Sequence, residues 1–245
     1  MLKAFATGSL FGARHGSGPP TVLALHGWAR DHRDFDATLD GLDAIAVDLP
    51  GFGASPAPAN AWGGAEYAEA VSPVLGELAG PAVLLGHSFG GRVAVHLAAS
   101  RPEQVAALVL TGVPLVRRPG ARARRPAVPY RLARSLHRRG LLGERRMESL
   151  RQRYGSADYR SASGVMRGVH VRAVNETYGD QLASLTCPTE LVWGDDDAEV
   201  PLAVAEAARE LLPHAVLTVV PGAGHLTPLT APGALRAAVE RHLPR

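Results

Sequence analysis

The run AVLLGHSFGGRVAVHLAAS, residues 82–100, changes character twice. A purely aliphatic stretch gives way to GHSFGG, and an apolar segment follows. The aliphatic part is short and unbroken, which reads as a strand covered on both faces. Residues 90–100 read as a helix. A buried strand that turns directly into a helix is one unit of a parallel sheet, so the fold follows if the unit recurs along the chain. It does recur. TVLALHG (21–27), DAIAVDLPG (43–51), VAALVLTG (105–112), TELVWGD (189–195) and AVLTVVPG (215–222) are aliphatic runs ending in polar, mostly glycine-bearing turns. Helical segments are expected over 65–78, 202–212 and 233–242. Pro73 should kink the first, and Pro201 and Pro232 suit the first turns of the others. The expected fold is α/β, a doubly wound, mostly parallel sheet, with function at the carboxyl ends of its strands.

The bulk properties agree. A chain of 245 residues, 46% hydrophobic and 20% charged, suits one domain with an insertion. No apolar run approaches the ~20 residues of a membrane span. The opening MLKAFATGSLFGARHG is interrupted by Thr7, Gly8 and Ser9, and reads as strands rather than a signal peptide. Cys187 is the single cysteine, so no intramolecular disulfide can form and a cytoplasmic location is expected. Placed before Pro188 at a strand entrance, it reads as a small apolar residue. No Cys/His metal spacing, G-x-G-x-x-G or P-loop occurs, so neither metal nor cofactor is expected.

Residues 114–180 interrupt the rhythm and read as a helical cap inserted into a core of residues 1–113 and 181–245. Helical pieces are expected over 129–139, 143–154 and 162–175. The net charge of +3 conceals an asymmetry here: the cap holds sixteen Arg and five acidic residues, the rest of the chain ten basic and eighteen acidic. Thirteen of the arginines fall between Arg117 and Arg153.

Gly86-His87-Ser88-Phe89-Gly90 sits between strand and helix, the context in which G-x-S-x-G forms a nucleophile elbow. The serine of so sharp a turn occupies strained backbone, so its neighbours two residues away must be small. The helix that follows aims its N-terminus at the site and favours developing negative charge. Serine needs a base. The chain order of such sites places an acid after a later strand and a histidine near the C-terminus. LVWGDDDAEVP (191–201) supplies carboxylates and VVPGAGHLTPL (219–229) supplies His225. The amide of Phe89, the residue after the nucleophile, gives one oxyanion donor.

LHGW, DLPGFGAS, GHSFGG, VWGDDD and PGAGH together resemble the α/β-hydrolase superfamily of serine esterases, over almost the whole chain apart from the cap. The resemblance implies that the acid falls third after a glycine, which selects Asp197. Asp195 is the alternative, and Asp196 is a turn residue. It places the second oxyanion donor on the amide of Trp28, after His-Gly. His26 and His87 then shape turns, and Asp48 fixes the loop after its strand. His96 belongs to core or surface. Absence of HGGG argues against the esterase branch built on that motif. Ser88 at the elbow sets aside dehalogenases and epoxide hydrolases, which carry aspartate there. Lyases that depend on a cap lysine are disfavoured, because Lys3 is the only lysine.

The implied activity is cleavage of a carboxylic ester or thioester of a small-molecule acyl substrate, without metal or cofactor. Carbon–carbon bond hydrolysis, lactonase and perhydrolase activity on the same triad stay open, as does a ligand receptor of this fold. The Arg-rich cap has three readings: a solvated face, a docking surface for an acidic carrier protein as in the carrier-protein methyl esterase branch, or a site for small anions or anionic surfaces. Nucleic acid is disfavoured, because no binding motif accompanies the charge. Tyr130, Met166 and His170 are candidates for cap side chains reaching the pocket.

Overall fold

A computed structural model describes residues 1–117, 128–154, 157–212 and 214–244. The strands are β1 (Leu2–Phe5), β2 (Leu10–His15), β3 (Val22–Leu25), β4 (Ala44–Asp48), β5 (Ala82–His87), β6 (Val105–Thr111), β7 (Thr189–Gly194) and β8 (Ala215–Val220). They form one sheet in the order β1-β2-β4-β3-β5-β6-β7-β8. β1, β2 and β4 pair antiparallel, and every pairing from β4 to β8 is parallel. The predicted doubly wound sheet is present, with β1 and β2 as the strands read from the opening residues.

The continuous apolar runs divide by alternation. Leu23, Leu25, Ile45, Val47, Leu84, Leu108 and Leu110 point into one core cluster. Val22, Ala24, Ala44, Ala46, Val83, Leu85, Ala107 and Val109 point into another. Successive strand side chains face opposite sides, so each run stays apolar because both faces are covered. The helices of the core are α1 (Asp36–Leu39), α2 (Gly64–Val71), α3 (Phe89–Ser100), α9 (Leu202–Leu211), α10 (Thr227–Thr230) and α11 (Pro232–Glu240). α2, α3 and α9 cover the first face, and α1 and α11 the second.

Three expectations need correction. Pro73 does not kink α2. The α-helix ends at Val71, and Ser72–Glu77 continues as a 3-10 helix with Pro73 in its first turn. Proline has no N–H for an α-helical bond and its ring crowds the preceding turn. Pro201 stands just before α9, with ψ 150°, rather than inside its first turn. β8 is not buried on both faces: Val216 and Val219 are exposed. It is the edge of the sheet, and an apolar run cannot reveal how many neighbours a strand has.

Between β6 and β7 lie α4 (Val128–Arg138), α5 (Glu144–Tyr154), α6 (Ala157–Ser161), α7 (Gly164–Asn175) and α8 (Gly179–Ser184). The one-turn helix α6 and the short α8 have no periodicity long enough to predict. Val169 and Ala173 of α7, with Tyr178 and Leu182, join the first core cluster, so this end of the segment is packed onto the sheet's helices. Arg118, Arg122, Arg124 and Arg125 lie outside the described residues. Arg131, Arg134, Arg138, Arg139, Arg145 and Arg146 are exposed. Among the described residues these six have no ion-pair partner, whereas Arg151 and Arg167 meet Glu148, and Arg172 meets Glu66.

Candidate active site

From β3 the chain passes to β4 on one side and later to β5 on the other. This reversal opens a crevice at the carboxyl ends of β3 and β5. Trp28 follows β3 and Ser88 follows β5. Ser88 has φ 48° and ψ −109°, a conformation that costs energy for any L-residue. The glycines around it answer to packing. A Cβ on Gly86 would stand 2.5 Å from Gly91 Cα, and one on Gly90 would collide with the Leu25 carbonyl. Their absence lets the first turn of α3 close against the ends of β3 and β5.

His225, in the loop after β8, places Nε2 3.2 Å from Ser88 Oγ. Its Nδ1 lies 2.8 Å from Asp197 Oδ2. Asp197 follows β7 and is buried. Its other oxygen accepts from the Glu199 and Val200 amides at 2.9 and 2.8 Å, so the carboxylate is fixed by its own loop. Asp195 instead accepts from the Gly222 amide at 2.7 Å, and Asp196 is exposed. The geometry therefore joins Ser88, His225 and Asp197, and leaves Asp195 and Asp196 in the turn. Burial alone would lower the pKa of His225. The hydrogen bond and charge of Asp197, with Glu199 and Asp158 beyond it, outweigh that, and the net shift is upward.

The neighbouring histidines hold backbone. His26 lies within hydrogen-bond distance of the Gly27 carbonyl through Nδ1 (2.7 Å) and accepts from the Leu49 amide at Nε2 (2.9 Å). Burial pushes its pKa down, in keeping with a neutral ring that uses both nitrogens. His87 Nε2 lies 2.9 Å from the His225 carbonyl. Burial first, then the neighbouring His225, lowers its pKa to about 3, so it donates there as a neutral ring. His96 is half-buried against Tyr178. The Trp28 and Phe89 amides find no acceptor among the described residues. The Trp28 ring meets Phe52, Phe89 and His170 edge-on at 5.0–5.4 Å between centroids, forming an apolar wall beside the serine.

Helix α7 closes over this wall. Met166 abuts Gly51 and approaches the Tyr67 hydroxyl, Gly168 lies over Ala61, and His170 meets Trp28. Tyr130 does not share these contacts. Its hydroxyl lies 3.3 Å from that of Tyr159 within the inserted helices, and burial pushes its pKa up to about 12. Asp31, His32 and Asp48 lie close enough together to share a cation, and both carboxylates already accept hydrogen bonds. Asp48 accepts from the His32 amide and ring and from the Ala54 amide, and Asp31 accepts from Arg33. Asp48 thus ties two loops together, and the trio makes no case for a metal.

Two residues near Ser88, Asp197 and His225 escape sequence reasoning. Gly112 has φ +60°, and a Cβ there would come within 2.9 Å of the His225 ring; a glycine directly after β6 was the available signal. Glu199 brings Oε2 to 3.6 Å from His225 Nε2. It stands two residues past Asp197 in a run already rich in carboxylates, and that concealed it.

The sequence model of the alpha/beta hydrolase family matches residues 22–238. Lipase LipV of Mycobacterium tuberculosis is 44% identical over 112 residues, covering 44% of this chain and 42% of that protein. A 2-hydroxy-6-oxononadienedioate/2-hydroxy-6-oxononatrienedioate hydrolase of Pseudomonas sp. is 32% identical over 235 residues, covering 86% of this chain and 79% of the relative. A pimeloyl-[acyl-carrier protein] methyl ester esterase of Vibrio parahaemolyticus is 28% identical over 224 residues, covering 81% and 84%.

Proposed function

Because the chain belongs to the alpha/beta hydrolase family, we propose that it is a serine hydrolase cleaving a carboxylic ester or thioester through an acyl-enzyme on Ser88. The observation that carries this reading is the hydrogen-bonded line Asp197–His225–Ser88, at 2.8 and 3.2 Å, on a strained elbow. His225 Nε2 takes the Ser88 proton as Oγ attacks the carbonyl carbon. The Trp28 and Phe89 amides receive the oxyanion, and Asp197 stabilises the imidazolium. Collapse of the tetrahedral intermediate breaks the bond to the alcohol or thiol, which leaves with the proton from His225. Water then attacks the acyl-enzyme, giving its proton to His225, and Ser88 is released. Every group required belongs to the chain, and no step calls for a metal or cofactor.

The test is hydrolysis of p-nitrophenyl esters from acetyl to long acyl chains by wild type and Ser88→Ala. The expected loss in kcat is of order 10⁴ or more. Equal rates in the two proteins would refute the nucleophile. A second reading, carbon–carbon bond hydrolysis on the same triad, draws support from the Pseudomonas relative, and cleavage of a vinylogous 1,5-diketone would establish it. As for partners, the six arginines from Arg131 to Arg146 that have no ion-pair partner among the described residues support docking of an acidic carrier protein, as does the Vibrio relative's name. Binding should weaken steeply with salt and vanish in Arg138→Gln/Arg139→Gln.

A further inference from the structure

Resting on the ester-hydrolase reading, we propose that Glu199 determines specificity by making the leaving-group side of the site anionic, so that esters with cationic alcohol parts are preferred and those with anionic ones rejected. In acyl transfer the histidine Nε2 faces two places in turn. One is the nucleophile, here Ser88 Oγ at 3.2 Å. The other is the leaving-group oxygen, later replaced by the attacking water. A group other than Ser88 that lies close to Nε2 borders that second place. Glu199 Oε2 lies there, at 3.6 Å.

The carboxylate is anchored at its base and free at its tip. The Glu199 amide donates to Asp197 Oδ1 at 2.9 Å, so the residue is held to the acid's own loop. Its side chain is 68% exposed, and among the described residues it has no other ion-pair partner. Asp158 adds a second negative influence on His225. A further titratable neighbour is His87, neutral and 5.0 Å away between ring centroids. The arginines of α7 are turned elsewhere: Arg167 to Glu148 and the Tyr159 ring, Arg172 to Glu66 and the Ala61 carbonyl. Among the described residues no arginine pairs with a carboxylate that acts on His225, and the charged groups raising its pKa are Asp197, Glu199 and Asp158. An anionic alcohol part would meet Glu199 at a distance where like charges repel even in partly aqueous surroundings.

The experiment uses three esters of one acyl group, taken from the p-nitrophenyl optimum. Their alcohol parts share a two-carbon spacer: choline, its neutral isostere 3,3-dimethylbutanol, and the anionic 3-hydroxypropionate. In wild type, kcat/KM should fall in that order, by about three- to ten-fold per step, and the spread should shrink as salt rises. In Glu199→Gln, which keeps the backbone amide, the choline-to-dimethylbutyl ratio should fall to near one while p-nitrophenyl ester turnover persists. The acid limb of kcat/KM should also move to lower pH, because one of the charges favouring the His225 imidazolium is gone. A wild type that cleaves p-nitrophenyl esters but treats the three esters alike overturns the role of Glu199 alone, as does a Glu199→Gln variant with unchanged ratios. A protein inert towards every ester overturns the hydrolase reading, and this inference with it.

Discussion

Ser88 is held at φ 48° and ψ −109° by the strand before it and the helix after it, and that strain presents Oγ to His225. The partner of His225 is settled equally locally. Asp197 Oδ2 reaches Nδ1, whereas Asp195 accepts from Gly222. Asp197→Asn should therefore lower kcat by about 10⁴ by favouring the wrong tautomer. Asp195→Asn should stay within several-fold of wild type, and steady-state kinetics of the pair on one p-nitrophenyl ester decides. The raised pKa of His225 acts in opposite directions on stability and activity. Its folded value lies above the ordinary 6.5, so the stability it contributes is complete below pH 6.5 and is lost as pH rises through the folded value. For the proposed role as base, however, the ring must be neutral. The acid limb of kcat/KM should have its midpoint above pH 6.5, and a pH–rate profile on a neutral ester reads it directly.

At the scale of elements, the site depends on how closely α3 approaches the sheet. Gly90 has no room for a Cβ beneath it, because the Leu25 and His26 carbonyls occupy that space. Gly90→Ala should cost about 1–3 kcal/mol through overpacking. Gly233, in α11, has nothing within 4 Å of where its Cβ would stand. There Ala should be neutral or stabilise by up to ~1 kcal/mol through helix propensity. Urea midpoints for the two variants would separate close packing from propensity; equal shifts would contradict this account. The GHSFGG motif was readable because its glycines answer to a local requirement. Gly112 serves the same site from the end of β6, and nothing adjacent to it in sequence signals that His225, more than a hundred residues on, will lie against it.

At the scale of the whole molecule, the inserted helices are joined to the sheet through α7 and α8 by a few polar links. Glu176 accepts from the Gly64 amide at the start of α2 (2.7 Å) and from the buried Tyr178 hydroxyl (2.8 Å). Arg172 adds an exposed ion pair to Glu66. Glu176→Ala leaves the amide and the hydroxyl without an acceptor, and should cost about 1–3 kcal/mol. The expected outcome is a lower Tm with earlier proteolytic cleavage within residues 164–184. An unchanged Tm and cleavage pattern would mean that the apolar contacts of Val169, Ala173 and Leu182 suffice. The charge asymmetry also belongs to this scale. Six arginines without an ion-pair partner among the described residues lie on α4, α5 and the turn between them, while the charged groups raising the pKa of His225 are carboxylates. Composition places the positive charge in the segment; its described arginines meet none of the carboxylates that act on His225.

The chain order of such sites placed His225 after the sixth aliphatic run; the sheet, its mostly parallel sense and the elbow at Ser88 were legible directly in the residues. These rest on short-range requirements: aliphatic runs that must be covered on both faces, and glycines that must make room within a turn. Only the folded chain shows that β8 is an edge, that Gly112 makes space for the imidazole and that Glu199 borders Nε2; for the acid, the resemblance already favoured Asp197, and the geometry brings its carboxylate, not that of Asp195, to His225. Each of these is a distance between segments far apart in the chain or between side chains of one turn pointing different ways. Residue type and spacing carry no measure of either.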